Sequence, residues 1–164
     1  MDKPAAAPRL LTIGYQGASL RAFIDCLRAA GVHTLVDVRH TPFSRRPEFR
    51  QGALRRALGD AGIAYDHKKP LGNIPEARDA AAAGDRATYR RLFQDHLGTP
   101  AARMALQDVL RLAGDGPVCL MCLERLPEDC HRLMVADALL GLANLELANL
   151  RPAGEPDPAQ PRLF

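Results

Sequence analysis

The chain has 164 residues, 47% hydrophobic and 25% charged, enough for one domain with a full core and no need of disulfide staples. No apolar run approaches the length of a membrane span, so no membrane partner is expected. The opening MDKPAAAPRL lacks the apolar core of a signal peptide. The expected setting is therefore cytoplasmic and reducing, with the four cysteines as free thiols or ligands rather than disulfides. The net charge of +3 is unevenly spread: Arg39, Arg45, Arg46, Arg50, Arg55 and Arg56 lie close together with a single acid, Glu48. A local basic patch of this kind points to an anionic partner.

Residues 1–9 read as a loose lead-in, 10–151 as a single domain and 152–164 as a proline-rich disordered tail. Leu10–Tyr15 is a short apolar run, the first expected strand. Ser19 can cap the following helix, in which Leu20, Phe23, Ile24 and Leu27 recur at the spacing of one buried face. Thr34–Val38 is a second strand, apolar apart from Asp37. Strand, helix and strand at this spacing suggest parallel pairing. Thr41–Gln51 is an irregular loop with two prolines and two aromatics. Leu54, Ala57, Leu58 and Ala61 mark a helix, and Ile63–His67 a third strand.

Beyond the loop Lys68–Pro75 the pattern predicts two helices, one on Tyr89, Leu92, Phe93, His96 and Leu97, the other on Leu106, Val109, Leu110 and Ala113. Val118–Leu123 is a buried strand. The next helix is expected to start near Pro127, with Cys130 in its first turn, and to end near Gly141. Asn144–Leu150 is the last expected strand. The fold class is α/β: three layers, a mostly parallel sheet of about five strands with helices on both faces.

The stretch Pro117–Arg132 concentrates the chemistry, with thiols, an imidazole, carboxylates and guanidiniums close to Cys122. A strand's carboxyl end is where open α/β sheets place ligands. Cys122 and Cys130 are the candidate nucleophiles, and Glu124 or His131 the acid or base. The competing reading is that both thiols are packed structural residues. Arg39, Ser44, Arg45 and Arg132 are the candidate anion site, since guanidinium groups bind phosphate bidentately. Tyr15, Asp37, Tyr65 and His67 are placed along the same cleft, Asp37 orienting an arginine. Cys119 and Cys122, three apart in a strand, face opposite sides, so no metal centre is expected of Cys119, Cys122, Cys130 and His131. The lone Gly14 makes no dinucleotide fingerprint, and no cofactor is expected.

The phrases Thr12–Tyr15, Asp37–Arg45, Tyr65 with His67, Leu71 with Gly72, and Cys122–Arg132 resemble, in order, those of the DUF488 family. The resemblance implies a small α/β protein with a mostly parallel sheet, and it brings no activity with it. Two readings remain. In one, a Cys/His/Arg pocket acts on a phosphate-bearing substrate, a nucleotide or nucleic acid. In the other, the basic stretch binds nucleic acid without catalysis, and Gln160, Leu163 and Phe164 of the terminal QPRLF dock on a bacterial sliding clamp, whose ligands share the QxxLF pattern.

Overall fold

The computed structural model describes residues 5–154. Gln160, Leu163 and Phe164 lie outside the described residues. Five strands form one sheet: β1 (Arg9–Gly14), β2 (Thr34–Asp37), β3 (Ala64–His67), β4 (Val118–Cys122) and β5 (Glu146–Asn149). Their order is β3-β2-β4-β1-β5, and every neighbouring pair is parallel. The first two strands are parallel but not adjacent, because β4 is inserted between them.

Helices cover both faces. On one lie α1 (Leu20–Ala29) and α2 (Gln51–Asp60). They pack Phe23, Leu27, Leu54 and Leu58 onto Leu11, Ile13, Leu35, Cys119 and Met121. Each fully buried side chain of this size contributes about 1.5–3 kcal/mol of transfer free energy. Ser19 caps α1, its Oγ accepting from the Ala22 N–H at 3.0 Å. The other face carries α3 (Pro75–Ala82), α4 (Arg86–Leu97), α5 (Pro100–Asp115) and α6 (Arg132–Leu140), packed on Leu10, Val36, Leu120 and Cys122. The side-chain period of two thus sends Cys119 to one face and Cys122 to the other.

Three helices, rather than the expected two, separate β3 from β4. The additional one, α3, buries only Ala77 and Ala81. Two alanines one turn apart seal a helix against the core but give no strong apolar period, so the pattern assigns no element here. Apart from the start of α6, the other strand and helix ends fall close to the Gly, Pro and Ser punctuation of the sequence.

The chain leaves β1 for α1 on one face and β4 for α6 on the other. The carboxyl ends of these adjacent strands, paired Gly14 to Cys122, are therefore a topological switch point. The two outgoing loops run side by side. Tyr15 N–H donates to Cys122 O at 3.3 Å and Gln16 N–H to Leu123 O at 2.9 Å. Gly14 allows this approach, because a Cβ there would overlap the Glu124 carbonyl. Gly14→Ala is expected to cost about 1–3 kcal/mol through overpacking. This is read as a lower urea midpoint with an unchanged denaturant slope; an unshifted midpoint would contradict the close crossing.

Candidate functional site

The loop after β4 does not enter a helix directly. Pro127–Asp129 form a single 3-10 turn, Cys130 is extended at φ −133°, ψ 147°, and α6 starts at Arg132. Cys130 is thus not in a helical first turn as the sequence led us to expect. Proline seeds the tight turn, and its geometry swings Cys130 back toward the strand it left. The swing also corrects the expectation of four free thiols: Cys122 and Cys130 form a disulfide, while Cys26 and Cys119 are free.

Arg132 organises this loop. Its side chain is wholly buried, at 0% exposure. Nη1 donates to Cys122 Sγ at 3.0 Å and to the Glu124 carbonyl, and Nη2 donates to Arg125 O at 3.1 Å. The Arg132 backbone N–H points to Cys130 Sγ at 3.5 Å. Glu124 Oε2 stands 3.4 Å from Cys122 Sγ. A guanidinium on sulfur favours the thiolate over the thiol.

His131 is buried between this loop and β2. Its Nε2 lies 2.6 Å from Val38 O, and a carbonyl only accepts, so Nε2 carries the hydrogen. That leaves the Nδ1 lone pair toward Cys130 Sγ, 3.5 Å away. Burial pushes the His131 pKa down to about 4, with Arg132 adding to the effect and the Val38 carbonyl and Asp37 opposing it. The imidazole is therefore neutral at pH 7, and its ring packs edge-on against Phe93 at 5.5 Å.

Cys130 also lines a pocket of about 270 Å³ between α4, the β4–α6 loop and α6. Arg86, Tyr89, Arg90, Gln94 and Glu128 share its wall. Burial and the nearby Glu124 carboxylate push the Tyr89 phenol up, so it stays protonated. Cys122 sits behind Cys130 and is not part of that wall.

Asp37, Arg39, Tyr15 and Tyr65 form a separate cluster on the other face of the sheet. Arg39 holds Asp37 with two N–H groups, Nε to Oδ1 at 2.9 Å and Nη2 to Oδ2 at 2.7 Å. Its Nη1 donates to Phe49 O at 2.8 Å, with Tyr15 Oη and Phe43 O at 3.4 Å. Tyr65 donates its hydroxyl to Asp37 Oδ2 at 2.5 Å, and His67 Nε2 meets Arg39 O at 2.7 Å. Burial, and then Asp37, raise the Tyr65 pKa. Asp37 more than offsets the burial of Arg39, whose charge is retained. Tyr15 stacks on Phe49 at 4.5 Å.

The sequence-derived candidates thus fall into two groups. Cys122, Glu124, Cys130, His131 and Arg132 converge, as do Tyr15, Asp37, Arg39, Tyr65 and His67. The groups lie on opposite faces, joined at the carboxyl edge by the His131–Val38 hydrogen bond. Arg39, and Arg132 through Nη1 and Nη2, direct N–H groups at protein oxygens or sulfur. Ser44 is buried and accepts from the Arg46 N–H at 3.1 Å, whereas Arg45 is exposed. The pocket residues Arg86, Tyr89 and Arg90 escaped the sequence reading. Tyr89 reads as core packing on its helical period, and nothing in the pattern gives Arg86 and Arg90 a role.

The fold and this site define a parallel α/β protein with a cysteine pair and a buried arginine at the switch point of its sheet. The family described as "Domain of unknown function DUF488" matches residues 19–139, and the chain belongs to it. No curated protein and no solved structure matches the chain. Among the described residues, no helix is long and apolar enough to cross a membrane.

The buried Asp37–Arg39 pair yields a stability test. Asp37→Ala strands a charge in the core and is expected to cost about 3–5 kcal/mol, whereas Asp37→Leu combined with Arg39→Met costs clearly less. Chemical denaturation of both variants checks this, and equal losses would contradict it.

Proposed function

We propose that the chain works as a thiol-dependent protein whose reacting centre is the Cys122–Cys130 pair, exchanging between disulfide and dithiol. One observation carries this reading: the two sulfurs are unequal. Cys130 is on the wall of the pocket, and Cys122 rests on a buried guanidinium 3.0 Å away.

The asymmetry sets a direction for the exchange. A thiolate from a partner dithiol enters by the pocket that Cys130 lines and attacks Cys130 Sγ. The Cys122–Cys130 bond breaks, and its electron pair leaves on Cys122 Sγ, where Arg132 stabilises the new thiolate. The partner's second thiolate then attacks the partner's own sulfur in the mixed disulfide and expels the Cys130 thiolate. The protein is left with two reduced cysteines and the partner with a disulfide. Run in reverse, the reduced pair reduces an external disulfide. A stabilised leaving thiolate speeds such a step. His131 contributes position rather than a proton, since burial holds it neutral.

The reduced Cys122→Ser variant is expected to trap a stable mixed disulfide at Cys130 when treated with a small aromatic disulfide. Cys130→Ser is expected to form an adduct at Cys122 far more slowly, because only the inner sulfur of the pair remains. Mass spectrometry of the adducts checks this; equal trapping at both cysteines would contradict the assignment.

A second reading concerns a phosphate-bearing partner, and it rests on the loop before α2. Phe43 is 57% exposed, with the Arg50 guanidinium 4.8 Å from its ring centre, and Arg45, two residues on, is exposed. An exposed ring among cations is a platform on which a nucleic-acid base stacks. The arginines that remain open to a phosphate are thus those of the loop surface, not Arg39 or Arg132. The terminal Gln160, Leu163 and Phe164 would tether such a module to a sliding clamp. Phe43→Ala is expected to weaken single-stranded DNA binding by about 1–3 kcal/mol. Arg45→Ala is expected to lower the salt slope by about one. Fluorescence anisotropy across a salt series measures both, and binding indifferent to both changes would dismiss the platform.

A further inference from the structure

The two cysteines have a third companion. Cys122 Sγ, Cys130 Sγ and a carboxylate oxygen of Glu124 all lie within 4.8 Å of one another. Two thiolates and a carboxylate are a donor set for a borderline-soft divalent ion such as Zn²⁺. The Cα atoms of Cys122 and Cys130 are 7.3 Å apart, beyond the range of about 4.4–6.8 Å usual for disulfides. At that spacing the backbone leaves room for an ion between separated sulfurs.

Charge makes the same case. Once reduced and ionised, the pair and Glu124 bring three negative charges into a largely enclosed site, and Arg132 supplies one positive charge from complete burial. A divalent cation offsets the negative charge that two thiolates and a carboxylate bring together, as a largely enclosed cluster requires. The outer hydrogen bonds are also in place. Arg132 directs Nη1 at Cys122 Sγ and its backbone N–H at Cys130 Sγ, at 3.0 and 3.5 Å. Such N–H donors orient metal-bound thiolates and offset their charge.

We propose that the reduced protein binds one divalent thiophilic cation, of which Zn²⁺ is the type, through Cys122, Glu124 and Cys130. Three protein ligands leave a fourth position, as in zinc sites that bind a further ligand rather than only brace a fold. Cys130 places that position beside the pocket, so the ion meets whatever the pocket admits. Cys119, on the opposite face, takes no part. The oxidised protein lacks the site, because a disulfide offers no thiolate. The proposal uses the same cysteines as the exchange reading but does not depend on exchange taking place.

The test is a Co²⁺ titration of the full chain, reduced with a phosphine and kept free of oxygen. The expected result is one tightly bound equivalent, with thiolate-to-cobalt charge-transfer bands and the intense visible bands of a tetrahedral ion. Zn²⁺ should displace the cobalt and shield both thiols from iodoacetamide. The disulfide form should give no such bands. Losing an outer partner already costs about ten- to a hundredfold in affinity, so Glu124→Gln is expected to weaken binding by at least roughly tenfold. Cys130→Ser should abolish the charge-transfer bands. Their absence from the reduced wild type overturns the proposal, as does wild-type cobalt affinity in Glu124→Gln. Exchange with a small disulfide, read on metal-free wild type, stands or falls separately.

Discussion

A guanidinium removed entirely from water is tolerated only where protein atoms replace its hydration. Arg132 meets that condition by drawing the loop after β4 around itself. The carbonyls of Glu124 and Arg125 turn inward to it, and Cys122 Sγ joins them. The loop could not relax outward without exposing those carbonyls and stranding the charge. The positions of both cysteines and of Glu124 therefore follow from one buried cation. The 3-10 turn at Pro127–Asp129 and the extended Cys130 are the path the chain takes to close around it.

The sheet supplies the rest of the geometry. With β4 between β1 and β2, the loops that follow β1 and β4 part toward opposite faces, and the divergence opens a place for chemistry. Each face has its own arginine. Arg39 locks Asp37 to the loop around Phe49, and Arg132 locks the cysteine loop to α6. His131 spans the two, reaching across to Val38 O one residue before Arg39. One face thus has an exposed aromatic and basic rim, the other a sulfur pair beside a pocket.

Much of this was legible in the residues. The alternation of strand and helix, the buried face of α1 on Phe23 and Leu27, and the separation of Cys119 from Cys122 all follow from local periods. The grouping of Cys122, Cys130 and Arg132 followed from their closeness in sequence. What was not legible depends on pairings remote in the chain. Nothing in β1 or β2 announces that β4 will lie between them. Arg39 and Arg132 show their charge in the sequence but not the carbonyls each will meet, so both resemble ligand arginines. The expectation of a reducing setting sets the disulfide aside, and the turn at Pro127 that brings Cys130 back to Cys122 is not visible in the helical pattern. The helix α3 was hidden because alanine buries well but signals weakly.

Cys122 owes its side of the sheet to parity. It shares a face with Val118 and Leu120, while Cys119 and Met121 point the other way. Losing or gaining a single residue within β4, with its near end held by the pairing of Val118 with Leu10 and Thr34, would exchange those sets beyond the change. Position 122 would then offer its sulfur to Phe49 and α2 instead of Arg132. Length within this short strand is thus as much a determinant of the chemistry as the identity of the cysteine, and a tally of matching residues would not reveal the difference.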